Sequence, residues 1–232
     1  MLDKSQGNLK FPSQRDYEAW VNTQEWYQTI QLKNGIWTRG KVRTDKRIAE
    51  LERLDFQGKS VVDIGCNSGQ YSLLAKRMGA SRVIGLDIDP LRIKQARILS
   101  ANEELDIEFK EAGIEQLREL GQFDIVVCIA VLTEIENVLG GLRLLRDATS
   151  GQAIIEMGIA KPVMYLSSNR QWWHPDPGVS RLGRIGEMRR HKHAGWVMYP
   201  TLELIRDIFD SDFSVTCLGR GLRYSTLHVV RR

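Results

Sequence analysis

The sequence predicts a doubly wound α/β fold built on a mostly parallel, seven-stranded sheet. Three observations carry this expectation. Short apolar runs such as "SVVDI", "RVIGLDI" and "FDIVVCIA" alternate with segments of helical periodicity. Those runs are apolar at nearly every position, as strands covered on both faces must be. The first of them breaks into "GCNSG" before its helix, which is where such sheets hold a ligand.

The elements follow in order. Ser13 caps a helix through "RDYEAWVNTQEWYQTI" (15–30), in which Tyr17, Trp20, Val21 and Tyr27 recur at roughly helical spacing. "LKNGIWTRGKV" is a glycine-punctuated loop, and "TDKRIAELERL" is a helix capped by Thr44 with Ile48, Leu51 and Leu54 on one face. Strand "SVVDI", helix "QYSLLAKRM", strand "RVIGLDI", helix "LRIKQARILSAN" and strand "DIEFKEA" come next. The helical turn "IEQLREL" leads to strand "FDIVVCIA", helix "NVLGGLRLLRDA" and strand "QAIIEM". After an irregular stretch come helix "TLELIRDIFD" and the strands "FSVTCLG" and "YSTLHVV". Residues 1–57 are expected to form a helical lid or substrate-binding segment. Residues 58–232 form the sheet domain, interrupted by a Trp- and Arg-rich insertion at about 158–198. A loop of that length inside a domain is usually functional or disordered.

Bulk properties exclude several classes. The 232 residues are 42% hydrophobic and 27% charged, ordinary for a soluble domain. The longest apolar run, Ile125 to Leu132, is too short to span a bilayer, so no membrane partner is expected. "MLDKSQGNLKFPSQ" has no apolar core, so no signal peptide is expected. Cys66, Cys128 and Cys217 form no C-x-x-C pair, which argues against disulfides and zinc and for a cytoplasmic location. His191 and His193 form an H-x-H pair, and His174 follows two tryptophans, but no acid or cysteine cluster lies beside them, so no metal site is expected. Between Arg170 and His193 six cations face Asp176 and Glu187, a surplus equal to the +4 of the whole chain.

The ligand is narrowed by three features. Gly65 and Gly69 sit where strand one turns into its helix, and only a missing side chain lets backbone pass so close to a ligand. Asp87 ends strand two, where an acid accepts hydrogen bonds from ribose hydroxyls. A nicotinamide cofactor would want G-x-G-x-x-G, but Asn67 stands at the second glycine. That spacing suits an adenosine ligand without pyrophosphate. Asp63 adds a carboxylate that can fix a cationic amino-acid portion.

"VVDIGCNSG", "VIGLDID" and "FDIVVCIAVL" resemble the first, second and fourth motifs of the class I S-adenosylmethionine-dependent methyltransferases. The resemblance covers about residues 58–157 and, less clearly, the last two strands. It implies a Rossmann-like methyltransferase fold with an antiparallel last strand, and S-adenosyl-L-methionine as cofactor. Asp63, Gly65, Cys66, Asn67 and Gly69 would line its methionine side, with Cys66 a packing residue rather than a nucleophile. Asp87 would hold the ribose, Ile88 would pack on adenine, and backbone around Ile114, from Gly113 to Glu115, would meet the adenine edge. Ile129 and Ala130 would face the sulfonium.

"AGIEQL" before "FDIVVCIAVL", "GWVMYPTLELIRDIF" after the insertion, and "VRTDKR" before strand one resemble the tRNA wobble-uridine 5-oxyacetic-acid methyltransferases. The larger members carry an extra N-terminal region that this chain lacks. Some hold a carboxylated S-adenosylmethionine with a tyrosine and a lysine. Thr133 and Asn34, with Lys33 beside it, stand at those positions here, which implies plain methyl transfer.

The reaction needs mainly alignment, because the sulfonium is already activated. A base helps where the acceptor is a hydroxyl, and Glu134, just beyond strand four, is the first candidate. Its alternative role is a helix-start acid before "NVLGGLRLL". Tyr199 is the second candidate, with packing before Pro200 as its alternative. Candidate acceptor contacts are Lys33, Trp37 and Arg39 of the upstream loop and Trp172, Arg189 and Arg190 of the insertion. Trp37, like Trp20 and Trp26, has core or lid packing as its alternative. Arginines interleaved with tryptophans can grip phosphate while stacking on a base, or form a solvated flap. The acceptor is therefore a nucleic acid, such as a tRNA nucleotide, or a small hydroxylated molecule. A cofactor- or RNA-binding module without turnover is the contrasting reading.

Overall fold

The computed structural model describes residues 10–160, 187–191, 195–220 and 224–232. The chain divides into two units, Met1–Gly113 and Ile114–Arg232. The seven-stranded sheet has the order β3-β2-β1-β4-β5-β9-β8, and a separate two-stranded ribbon pairs β6 with β7.

The first unit contains α1 (Gln14–Thr23), a 3-10 turn (Lys33–Gly35), α2 (Asp45–Leu51), β1 (Ser60–Ile64), α3 (Gln70–Arg77), β2 (Arg82–Asp87), α4 (Pro90–Glu103) and β3 (Glu108–Glu111). β1, β2 and β3 are parallel, with Asp63 opposite Gly85 and Asp87 opposite Glu111. Both Ser13 and Asp89 cap as their residue types suggest, accepting from Asp16 N and Leu91 N respectively. Thr44 stands at the start of α2 but its side chain makes no capping bond.

The first helix is shorter than the expected span of 15–30. It stops at Thr23, and Gln24 turns extended. Trp26 folds back instead, donating its indole N–H to Val21 O at 2.7 Å. The periodicity of Tyr17, Trp20 and Val21 still reports a buried face, but past Thr23 the aromatics come from extended chain. Tyr17, Val21, Trp26, Ile30, Leu32 and Ile36 form one cluster with Leu73 of α3 and Leu99 of α4. Beneath it Arg77 pairs with the buried carboxylate of Glu103, which also accepts from Lys33 N at 2.8 Å.

The second unit contains a 3-10 turn (Ile114–Gln116), α5 (Leu117–Leu120), β4 (Phe123–Ile129), α6 (Val138–Ala148), β5 (Thr149–Met157), β6 (Glu187–His191), β7 (Gly195–Tyr199), α7 (Leu202–Phe209), β8 (Phe213–Arg220) and β9 (Ser225–Arg231). β4 and β5 are parallel, while β9 runs antiparallel to both β5 and β8. The antiparallel last strand is as expected. The β6–β7 ribbon was not: "EMRRH" offers no alternation of apolar and polar residues from which a strand could be read. Among the described residues no helix is long and apolar enough to cross a membrane.

Candidate functional site

In the first unit the loop after β1 is tightly folded. Gly65, Asn67 and Gly69 all take left-handed backbone, with φ of 67°, 52° and 86°. Gly69 begins α3, and a Cβ there would lie 3.0 Å from the Phe109 ring, so both conformation and space call for glycine. Cys66 N donates to Leu86 O at 2.9 Å, tying the loop to β2. The Cys66 sulfur is buried with Ile93, Ala96 and Phe109, and burial pushes its thiol pKa well up. That side chain is part of the packed interior.

Asp87 and Asn67 are brought together. Asp87 Oδ2 accepts from Asn67 N at 2.8 Å, and Oδ1 accepts from Asp89 N at 2.9 Å. A carboxylate offers about four acceptor positions, so each oxygen retains capacity for a ligand hydroxyl. Ile88, immediately beyond, is 75% exposed, an unusual surface for a β-branched apolar residue.

Asp63 is in a different setting. It is 1% exposed, and Ser72 Oγ donates to its Oδ2 at 2.7 Å. Burial pushes its pKa up to about 7; hydrogen bonds from Ser72 oppose this and the charge of Asp87 adds to it.

The sequence reading missed a polar layer around this loop. Ser68 Oγ donates to Gln95 Oε1 at 2.8 Å, and Gln95 Nε2 donates to Glu25 O at 3.1 Å. Gln70 Nε2 donates to Thr29 O at 3.2 Å, while Gln70 Oε1 and Gln28 Oε1 are buried without a hydrogen-bond partner among the described residues. Orphaned buried acceptors of this kind are rare and call for a donor. The available signal was the position of Gln70, directly after Gly69; nothing in the sequence marked Gln28 or Gln95.

In the second unit Ile114 is buried and Glu115 exposed at the start of the 3-10 turn, one residue beyond Gly113. With Ile135, Asn137, Gly140 and Gly141 they line a cavity of about 410 Å³. Half-buried Ile129 ends β4, and Ala130 follows with φ of 62°, a left-handed value rare for a residue with a side chain. Thr133 is buried and donates its hydroxyl to Ala130 O at 3.2 Å. Glu134 is exposed in the turn that follows. The cap of α6 is Asn137, whose Oδ1 accepts from Gly140 N at 2.9 Å, and Glu134 stands three residues before that cap. Tyr199 ends β7 with its ring against Gly158, where a Cβ would come within 1.8 Å of Cε1.

Of the acceptor candidates, Lys33 pairs with Glu104 at 3.3 Å, and Trp37 and Arg39 face solvent. Arg189 and Arg190 lie in β6, opposite Val197 and Trp196. Trp172, His174 and His193 lie outside the described residues.

Comparison with known proteins agrees with this architecture. Residues 61–147 match the family described as "Methyltransferase domain". The ribosomal protein L11 methyltransferase of Tolumonas auensis is 31% identical over 134 residues, 56% of this chain and 45% of that protein. The tRNA U34 carboxymethyltransferase of Campylobacter hominis is 32% identical over 96 residues, 41% of this chain and 34% of that protein. The chain thus spans less than half of these relatives. The N-terminal domain of EvdMO1, solved in the presence of SAH and D-fucose, superposes with a TM-score of 0.66 at 17% identity, covering 94% of this chain and 96% of that one. Residues 61–147 thus resemble a methyltransferase domain, and the chain shares the fold of the EvdMO1 N-terminal domain.

Proposed function

We propose that this chain transfers the methyl group of S-adenosylmethionine to an oxygen of a phosphate-bearing acceptor such as a tRNA nucleotide. The observation that carries the cofactor half is the Asn67–Asp87 contact, which leaves carboxylate capacity for ribose hydroxyls beside exposed Ile88. Gly65, Cys66, Asn67 and Gly69 supply backbone that a ligand can approach. The orphaned oxygens of Gln70 and Gln28 suit a donor such as an ammonium group. When bound, the sulfonium supplies an activated methyl group to an in-line nucleophile.

The chain's own part is to orient the acceptor and to accept its proton. Glu134, exposed after β4, is the proposed base for a hydroxyl acceptor. Tyr199 is the proposed second polar group, its ring position fixed by Gly158. The phosphate-bearing acceptor is supported by the cations of the insertion, Arg189 and Arg190 among them, and by the name of the Campylobacter relative. The likeness to a domain of nearly equal extent crystallised with D-fucose favours a second reading, methylation of a small hydroxylated molecule. Incubation of the protein and labelled S-adenosylmethionine with separated RNA and metabolite fractions tests both. Label recovered in a nucleoside digest supports the first; label confined to metabolites supports the second.

A further inference from the structure

Residues 36–44 alternate regularly between interior and solvent. Ile36, Thr38 and Thr44 are buried, and Gly40 and Val42 are half-buried; Trp37, Arg39, Lys41 and Arg43 between them are all exposed. The segment bridges Gln31 at Trp37 and Gln28 at Val42 with a bend at Lys41 between them, and the residues it leaves exposed are Trp37, Arg39, Lys41 and Arg43. The inward side is anchored. Thr38 Oγ1 donates to Gln28 O and accepts from Ile30 N, both at 2.7 Å. Val42 N donates to Tyr27 O at 2.9 Å, and Gly40 passes so close to Gln28 that a Cβ would meet its carbonyl carbon at 2.0 Å. The cations therefore stand on a fixed backbone.

Two of these charges are available. Arg43 pairs with Asp45, but Arg39 and Lys41 have no ion pair among the described residues. From Lys33 to Arg47 the chain carries six cations against the single acid Asp45. Two large aromatics accompany them: Trp37 and Tyr27 are each 49% exposed. Exposed rings beside unpaired cations suit a ligand that offers phosphates and flat bases together. A stacked duplex hides the faces of its bases, so the ligand is single-stranded.

We infer that the solvent side of residues 37–43, with Tyr27, is a binding site for single-stranded RNA, with Arg39 and Lys41 on successive phosphates and Trp37 stacked on a base. This rests on the phosphate-bearing-acceptor reading and assigns it a surface in the first unit, apart from the arginines of the insertion.

The test is binding of a short oligouridylate, followed by fluorescence anisotropy across a salt series, alongside titration of S-adenosylmethionine as a folding control. Wild type, Arg39→Gln/Lys41→Gln, Trp37→Ala and Arg189→Gln/Arg190→Gln are compared. Each neutralised phosphate contributes a slope of roughly −0.7 in log K against log salt, so the Arg39/Lys41 variant is expected to flatten it by about 1.4. Trp37→Ala is expected to weaken binding about tenfold with the slope unchanged. S-adenosylmethionine affinity is expected to be the same in all four proteins. Steep RNA binding that survives at Arg39/Lys41 and falls at Arg189/Arg190 overturns this site and leaves the phosphate-bearing acceptor standing. Absence of salt-dependent RNA binding in a wild type that binds S-adenosylmethionine overturns both.

Discussion

Asp63 and Asp87 both sit at the carboxyl end of the sheet, yet their surroundings give them different chemistry. Asp87 is partly exposed and holds backbone N–H groups on both oxygens, whereas Asp63 is buried and held by Ser72. Burial raises the folded pKa of Asp63 from 3.8 to about 7, so over that window the folded protein binds this proton more tightly than the unfolded chain. The stability it contributes is complete below the unfolded value and declines as pH rises towards 7. Asp63→Asn is expected to flatten this dependence, and thermal melts of both proteins at a series of pH values between 4 and 8 check it. Equal slopes would mean that Asp63 is ionised throughout. Glu134 poses a question of catalysis rather than folding. If it takes the acceptor proton, Glu134→Gln lowers turnover by roughly a hundredfold while leaving S-adenosylmethionine affinity intact, which steady-state kinetics and calorimetry measure together. Near-normal turnover would leave alignment as the main contribution.

At the scale of elements, the loop between β1 and α3 is under the strongest local constraint. Gly69→Ala would combine an L side chain at φ of 86° with a Cβ 3.0 Å from Phe109, at a cost of about 1–3 kcal/mol. A lowered melting temperature and weaker S-adenosylmethionine binding are expected together, because the same loop packs against Phe109 of β3 and is the proposed cofactor site. An unchanged melting temperature would show that the loop relaxes freely. This loop was legible because its residue types are dictated by backbone geometry: glycine at 65 and 69, an acid one strand away. The parallel strands were legible because burial on both faces leaves little choice of residue. Trp26 was not legible as the end of α1, since a side chain returning to Val21 O depends on tertiary packing that periodicity does not encode. Gln28, Gln70 and Gln95 were silent for a similar reason. An amide serves a surface or a buried network equally well, and only the fold shows which.

For the whole molecule, the charge tally concealed as much as it revealed. The surplus between Arg170 and His193 equals the +4 of the chain, so the remainder sums to zero. That zero contains the cations of residues 33–47, offset by acids elsewhere, and the exposure of Lys33, Arg39, Lys41, Arg43 and Lys46 emerges only when burial is set beside the sequence. The sheet order β3-β2-β1-β4-β5-β9-β8 agrees with the class I fold over nearly the full chain. The acceptor is less constrained by fold, because substrate contacts belong to loops and insertions rather than to the sheet. The central claim is that the end of β2 holds the cofactor's ribose, and calorimetric titration of S-adenosylmethionine into wild type, Asp87→Asn and Asp87→Ala tests it most directly. Wild type is expected to bind, and Asp87→Ala to lose roughly 1–3 kcal/mol through unpaired donors, with Asp87→Asn between them. Equal affinity in all three proteins, or no binding by a folded wild type, would contradict it.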